Sequence, residues 1–365
     1  MPGNPEPFVW HGIFYSWSVM SRHLFLTLSF LVVARVGASE DKPLLIELEP
    51  EALAYDLGAN GFTVIGSTFS GEAFYWMPSS GVVKLGGTQG IAVSRDGRTI
   101  VGNAFDANGK ENAAIWLGGE EWRLLGSFHQ NALPCDFLLS ASFGASDDGR
   151  VIVGLGWDGC RFARAFRWEE STGMVDLGST VSGRSSRAND VSGDGRIVIG
   201  WQENEFGFRQ GAMWLDGRQE IFVGPHGVVG EAFGINTDGS IITGSNCNPG
   251  EPSGWIWRRG TGITCYPPPR QRPLRPYQTL MQSTSEDGRI VGGAQSFGLE
   301  SESVLWIEGE PHYLKDYLRE HGIPDAFEGW VNTGFINAVS KDGRVLAGFG
   351  AGPTTFTGFV VILEE

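Results

Sequence analysis

One short pattern recurs along the whole chain, and it limits the fold more than any other feature. Its clearest copy runs Ala145-Ser146-Asp147-Asp148-Gly149-Arg150-Val151-Ile152-Val153-Gly154, then Ala165-Phe166-Arg167-Trp168, then Gly173-Met174-Val175-Asp176-Leu177-Gly178. The turn glycine returns at Gly61, Gly97, Gly149, Gly195, Gly239, Gly288 and Gly343, in steps of 36, 52, 46, 44, 49 and 55 residues. A tryptophan returns at Trp76, Trp116, Trp168, Trp214, Trp257 and Trp306, and Val361 takes its place in the last unit. A unit of this length cannot bury its apolar face alone and must stack on its neighbours. The uneven steps favour radial stacking, in which loops point off a disc and vary freely, over an open β-solenoid.

Each unit resolves into four strands, a to d. Strand a is short and small-sided, as in Ile91-Ala92-Val93-Ser94, and an Asp-Gly or Asn-Gly turn follows it. Such dipeptides supply the positive φ angles that tight hairpins need. Strand b is β-branched, strand c carries the aromatic pair, and a glycine turn leads to strand d. The pattern therefore predicts an all-β chain: a seven-bladed β-propeller of four-stranded antiparallel blades. The last unit has strands a, b and c but no d, while a spare strand, Pro43-Leu44-Leu45-Ile46-Glu47-Leu48, precedes the first. That strand is expected to complete the last blade, close the ring and remove an open sheet edge.

The N-terminus reads as an export signal. Ser21-Arg22-His23 precedes an apolar run from Leu24 to Val33, and Val36-Gly37-Ala38 offers small residues for cleavage. The run is too short to span a bilayer. Residues 1–38 are thus an extension plus signal, with Met20 a candidate true start and a retained anchor as the alternative. Residues 39–365 form the single propeller domain of a monomer that is secreted, periplasmic or held at the cell surface. Cys135, Cys160, Cys247 and Cys265 make an even count, which favours disulfides in an exported chain. Three pairings are possible. Strand order favours Cys135–Cys160 and Cys247–Cys265, because the members of each pair fall on the same face of the disc.

The same strand order sorts the loops. The a–b and c–d turns are short and lie on one face. The insertions are b–c and d–a loops and lie on the other, where ligands are expected. Trp201, Glu203, Glu205 and Phe206 share one such loop, and aromatics beside carboxylates resemble a sugar site. Arg270, Arg272 and Arg275 lie in a proline-rich stretch suited to an anionic glycan or an SH3-like partner, or simply to a stiff crossover. Leu314 to His321 has helical spacing and stops at Gly322 and Pro324. The formal charge of −15 disfavours nucleic acid and anionic membranes as partners.

Catalytic signals are sparse. No pair among His129, His226, His312 and His321 has ligand spacing, and no nucleophile elbow, phosphate loop or zinc motif appears. No cofactor or metal is indicated. The repeated Asp reads as turn chemistry, held by the Ser two residues ahead of it.

Ala163-Arg164-Ala165-Phe166-Arg167-Trp168, Gly71-Glu72-Ala73-Phe74-Tyr75-Trp76 and the final Ile336-Asn337-Ala338-Val339-Ser340-Lys341-Asp342-Gly343 unit resemble the bacterial HAF family of extracellular repeat proteins. The likeness covers residues 52 to 363. Glu72, Arg164 and Gly211 stand where that family has the His of its His-Ala-Phe signature. The resemblance implies an exported β-propeller and brings no catalytic residues. The leading expectation is a non-catalytic module binding a glycan or protein on its loop face. A carbohydrate-active enzyme with loop-face carboxylates and a passive surface protein are the alternatives.

Overall fold

The computed structural model describes residues 42–58, 61–119, 121–128, 138–159, 161–248, 252–269, 278–297 and 300–364. The signal segment, Cys135, Cys160, Arg270, Arg272 and Arg275 lie outside the described residues.

The strands pair as consecutive antiparallel sheets in the order a-b-c-d, two of which join into one eight-stranded sheet through the pairing of Ser245 with Leu280. Ser140–Ala145, Ile152–Asp158, Phe162–Glu169 and Gly173–Asp176 make one such sheet, and Ser186–Val191, Ile197–Glu203, Arg209–Leu215 and Arg218–Ile221 make the next. The last sheet takes its outer strand from the front of the chain. Leu44–Pro50 pairs with Phe356–Ile362, with Leu45 opposite Val361 and Glu47 opposite Phe359. Leu48 is buried there among Phe74, Trp76, Ala347 and Val360, so this strand also joins the last sheet to the first.

A bulge in strand a explains two elements of the repeat at once. The pairing of a with b slips by one residue between Ser142 and Gly144, and likewise between Ala54 and Asp56 and between Ala188 and Asp190. The bulge pushes a carbonyl of strand a toward the glycine of strand b. A Cβ on Gly154 would stand 2.0 Å from the Ala141 oxygen and 2.8 Å from the Phe166 ring; on Gly348 it would stand 1.9 Å from the Phe335 oxygen and 2.7 Å from the Phe359 ring. The Val-Gly and Ala-Phe motifs are therefore one contact, a ring laid over a position that only glycine can fill.

The core sits between sheets rather than within one. Val153 and Ala165 of one sheet meet Ala188, Val198, Ala212 and Trp214 of the next. Trp306 and Phe166 are fully buried, and burying a ring of this kind stabilises by about 1.5–3 kcal/mol. The one α-helix among the described residues, Leu314–Glu320, buries Leu314 and Leu318 one turn apart and packs on the outer part of its sheet, as its spacing predicts.

Candidate binding face and the axial turns

The Asp-Gly turns are built for structure. The Val151 N–H donates to Ser146 Oγ at 3.0 Å, the Ser146 hydroxyl donates to Asp148 Oδ1 at 2.7 Å, and the Arg150 N–H donates to the same oxygen at 3.0 Å. The set repeats around Ser192 and Asp194, and around Ser340 and Asp342. At Asp194 the Ser192 hydroxyl, against a smaller penalty from burial, holds the carboxyl below its ordinary value.

The residue between Ser and Asp in each turn does something the repeat does not announce. The Arg95 N–H donates to the Asp147 carbonyl at 3.0 Å, the Asp147 N–H to Gly193 at 3.0 Å, the Gly193 N–H to Thr237 at 2.8 Å, and the Glu286 N–H to Lys341 at 2.8 Å. Between Thr237 and Glu286, the Thr237 N–H donates to Glu286 Oε2 at 3.2 Å instead. Neighbouring sheets are thus laced together at their turns. Lys341 Nζ donates to both Asp147 oxygens, at 2.8 and 3.0 Å, and to Thr237 Oγ1.

One layer deeper lie two carboxylates. Asp56 accepts from its neighbour Leu57 at 2.7 Å and from Val93 of the next sheet at 2.8 Å. Asp190 does the same with Val191 at 2.8 Å and Ile235 at 3.3 Å. Burial pushes Asp56 up to about 6 and Asp190 up to about 7; the charge of Asp56 adds to the rise at Asp190, while Lys341 opposes both.

On the b–c and d–a face, the predicted residues separate. Trp201 is only 5% exposed, a core residue rather than a surface platform. It continues the buried run Ile197–Gln202 of strand b. Glu203 Oε2 accepts from the Ser185 N–H at 3.1 Å. Glu205 and Phe206 sit at the hairpin tip, with Phe206 73% exposed and Arg184 bonded to the Glu205 carbonyl. Glu203 and Glu205 therefore share one hairpin and do not face each other across a cleft. Cys247 and Cys265 are disulfide-bonded, with Cα atoms 5.6 Å apart.

Sequence reading passed over the residues that surround Trp201. Arg187 lies over the Phe143 ring at 4.8 Å and against Trp201 at 5.6 Å, and Arg209 lies against Trp201 at 4.3 Å. Both guanidiniums reach the buried Glu231, Arg187 by a short contact and Arg209 at 2.9 Å. Asn189 also donates to Glu231, at 2.9 Å, and Arg187 Nε donates to Asn189 at 2.6 Å. Burial raises the Glu231 carboxyl, but Arg187 and Arg209 bring it below its ordinary value. Arg187, Asn189 and Glu231 sit in strands or beside them rather than in the long insertions, so loop length gave no sign of them, while Arg209 ends one insertion as the first residue of strand c.

Two depressions lie on the opposite face. One, of about 160 Å³, is lined by Arg167, Arg196, Trp214 and Asp216 among others. The other, an open hollow of about 590 Å³, is lined by Arg95, Asp96, Asp147 and Asp148. Their charged groups already pair with one another, Arg196 with Asp216 and Arg95 with Asp147, each at 3.3 Å. Most of the exposed rings stand at b–c hairpins, on the other face from these depressions, and Phe62 stands beside an a–b turn. No group of three His, Cys, Asp or Glu side chains able to hold a metal occurs among the described residues, and none of their helices is long and apolar enough to cross a bilayer.

No family model matches the chain, and no curated protein does. Among solved structures it is similar to the RRP9 WD40 repeats, at 13% identity and a TM-score of 0.52, covering 89% of this chain and 98% of that one. It is similar to an oligogalacturonate lyase in complex with manganese, at 12% identity and a TM-score of 0.52, covering 90% of this chain and 99% of that one. Against TolB from Acinetobacter baumannii the identity is 12% and the TM-score 0.46, and the match covers 71% of this chain and 61% of TolB, less than two thirds of its length. At such identities the likeness speaks for the fold alone: consecutive four-stranded antiparallel sheets, an all-β chain of β-propeller type.

Proposed function

We propose that the chain is an exported, non-catalytic seven-bladed propeller of the HAF type that recognises a glycan or a protein on its b–c and d–a face. The carrying observation is where the exposed rings stand. Phe69, Phe105, Phe206, Phe208 and Phe356 are exposed at b–c hairpins, whereas Phe62 is exposed beside an a–b turn. Phe69 stacks on Phe356 across two sheets, with centroids 5.6 Å apart and planes at 16°. Folding does not require these rings to meet water, and clustered exposed apolar surface marks recognition. The pairing of Leu44–Pro50 with Phe356–Ile362 supports a closed ring. The Cys247–Cys265 bond supports an oxidising compartment.

The test is a binding screen on arrayed neutral and acidic glycans, with F206S/F208S as the loop-face variant and R98Q/R150Q as the turn-face control. The loop-face variant is expected to lose about tenfold or more in affinity, equivalent to about 1.4 kcal/mol, while the control keeps it. Release of new reducing ends from any bound glycan would overturn the non-catalytic reading. Binding that follows the turn-face variant would overturn the choice of face.

A further inference from the structure

We propose that Arg187 and Arg209, held on Trp201, form a carboxylate seat for a uronate residue of an acidic glycan. The inference rests on the loop-face reading above and names the ligand class for it. Each guanidinium is fixed twice, by the indole and by Glu231, and Arg187 has a third contact with the Phe143 ring. Guanidiniums locked this way lose little entropy on binding. The single buried carboxylate balances only one of the two cations, in a chain whose formal charge is −15.

The donors are not all used. Arg187 commits Nε and Nη2, and Arg209 commits Nη1. Arg187 Nη1 and Arg209 Nε and Nη2 have no acceptor among the described residues, and Arg209 remains 39% exposed in its side chain. A planar donor fork suits a carboxylate. The hairpin tip next to Arg209 adds the second half of the site. Asn204 fixes it by accepting from the Phe206 and Phe208 N–H groups at 2.9 and 3.0 Å, and both rings are open to solvent. A uronate joins an apolar C–H face and a carboxylate in one rigid ring, and the hairpin that presents Arg209 also presents the exposed Phe206 and Phe208. An acidic peptide has no such face beside its carboxylate, and a free anion makes no use of the rings.

The experiment is calorimetric titration of the intact chain with a hexameric oligouronate, its carboxyl-reduced counterpart, inorganic sulfate and a polyglutamate peptide. The uronate is expected to bind at least about tenfold tighter than the reduced sugar, and R209Q to lose about that factor. R209K, which keeps the charge but not the fork, should fall between wild type and R209Q. F206S/F208S changes only exposed residues; it should weaken the uronate about tenfold and leave sulfate unchanged. Equal binding of acid and reduced sugar, tighter binding of the peptide, or R209Q and R209K both matching wild type would overturn the proposal. Neutral glycan binding lost in F206S/F208S, with no uronate binding, would sink the carboxylate seat and leave the recognition face standing. Uronate binding lost in R95Q but kept in R209Q would sink both.

Discussion

The ammonium of Lys341 lies 2.8 Å from Oδ1 of Asp147, although 194 positions separate the two residues. Lys341 belongs to the last a–b turn and Asp147 to a turn in the first half of the chain, so the contact ties two distant sheets. The pair is partly accessible, at 35% and 26%, and solvent screening reduces its worth to about 1–2 kcal/mol. K341M should lower stability by that amount in denaturant melts. A double-mutant cycle with D147N should return a coupling of similar size. No coupling would show that the contact is incidental.

Gly154 should tolerate no side chain. A Cβ there meets the Ala141 carbonyl at 2.0 Å, and a backbone atom inside a paired strand cannot give way. G154A should cost more than about 3 kcal/mol or prevent folding. Gly173 is the control: its φ is +67°, but nothing stands within 4 Å of its Cβ position, so G173A should cost only about 1 kcal/mol. Equal losses at the two sites in thermal melts would refute the close-approach account.

The scaffold was legible because most units use the same residues for the same contacts, with Asn236 standing in for the turn Ser in one of them. Ser146, Asp148 and Gly149 make one turn, and the family of strands around them follows from alternation and turn spacing. The site was not, because its residues obey no repeat. Lys341 and Asp147 occupy the one free position of the turn, where Arg95, Gly193, Thr237 and Glu286 show no shared chemistry. Trp201 reads as a loop aromatic until strand b is seen to run on to Glu203 and bury it. Arg187, Arg209 and Glu231 come from two sheets and meet only once those sheets pack.

Stability should fall as pH rises across the neutral range. Asp56 and Asp190 have folded values near 6 and 7, above the ordinary 3.8. Their contribution is therefore complete below about pH 4 and is lost as pH climbs through those values, by up to roughly 3 kcal/mol for Asp56. The turn carboxyls act in the opposite sense: Asp194 is held low, so its contribution is present above about pH 4 and fades in acid. D56N/D190N loses a bond to a backbone N–H at each position, so its absolute stability also changes; the informative quantity is the slope. Between pH 5 and 8 the variant should be flatter than wild type in chemical melts. Identical slopes would mean these carboxyls titrate normally.

The Cys247–Cys265 bond closes a segment of 18 residues, and a loop of that length is worth about 3 kcal/mol in chain entropy. C247S/C265S should lower the melting midpoint accordingly. Cys247 is fully buried, so reductant should act slowly on the folded chain and quickly once denaturant opens it. Rapid labelling of both thiols under native conditions after mild reduction would contradict that placement.

The leading strand should be detachable and replaceable. Its hydrogen bonds to Phe356–Ile362 run in register from Leu44 opposite Ile362 to Glu47 opposite Phe359, and Trp330 Nε1 donates to Glu47 Oε1 at 3.0 Å. Removing residues 42–50 strips that partner away and leaves the Phe356–Ile362 strand as an open apolar edge, which is a template for association. The truncated chain should self-associate in light scattering and melt earlier than the full chain. A peptide of residues 42–50, added in trans, should occupy the vacant edge by strand addition and reverse that self-association. The L48D peptide should fail, because it would place a carboxylate among Phe74, Trp76 and Val360. A truncated chain that stays monomeric and melts as before would show that the two ends contribute nothing to holding the sheets together.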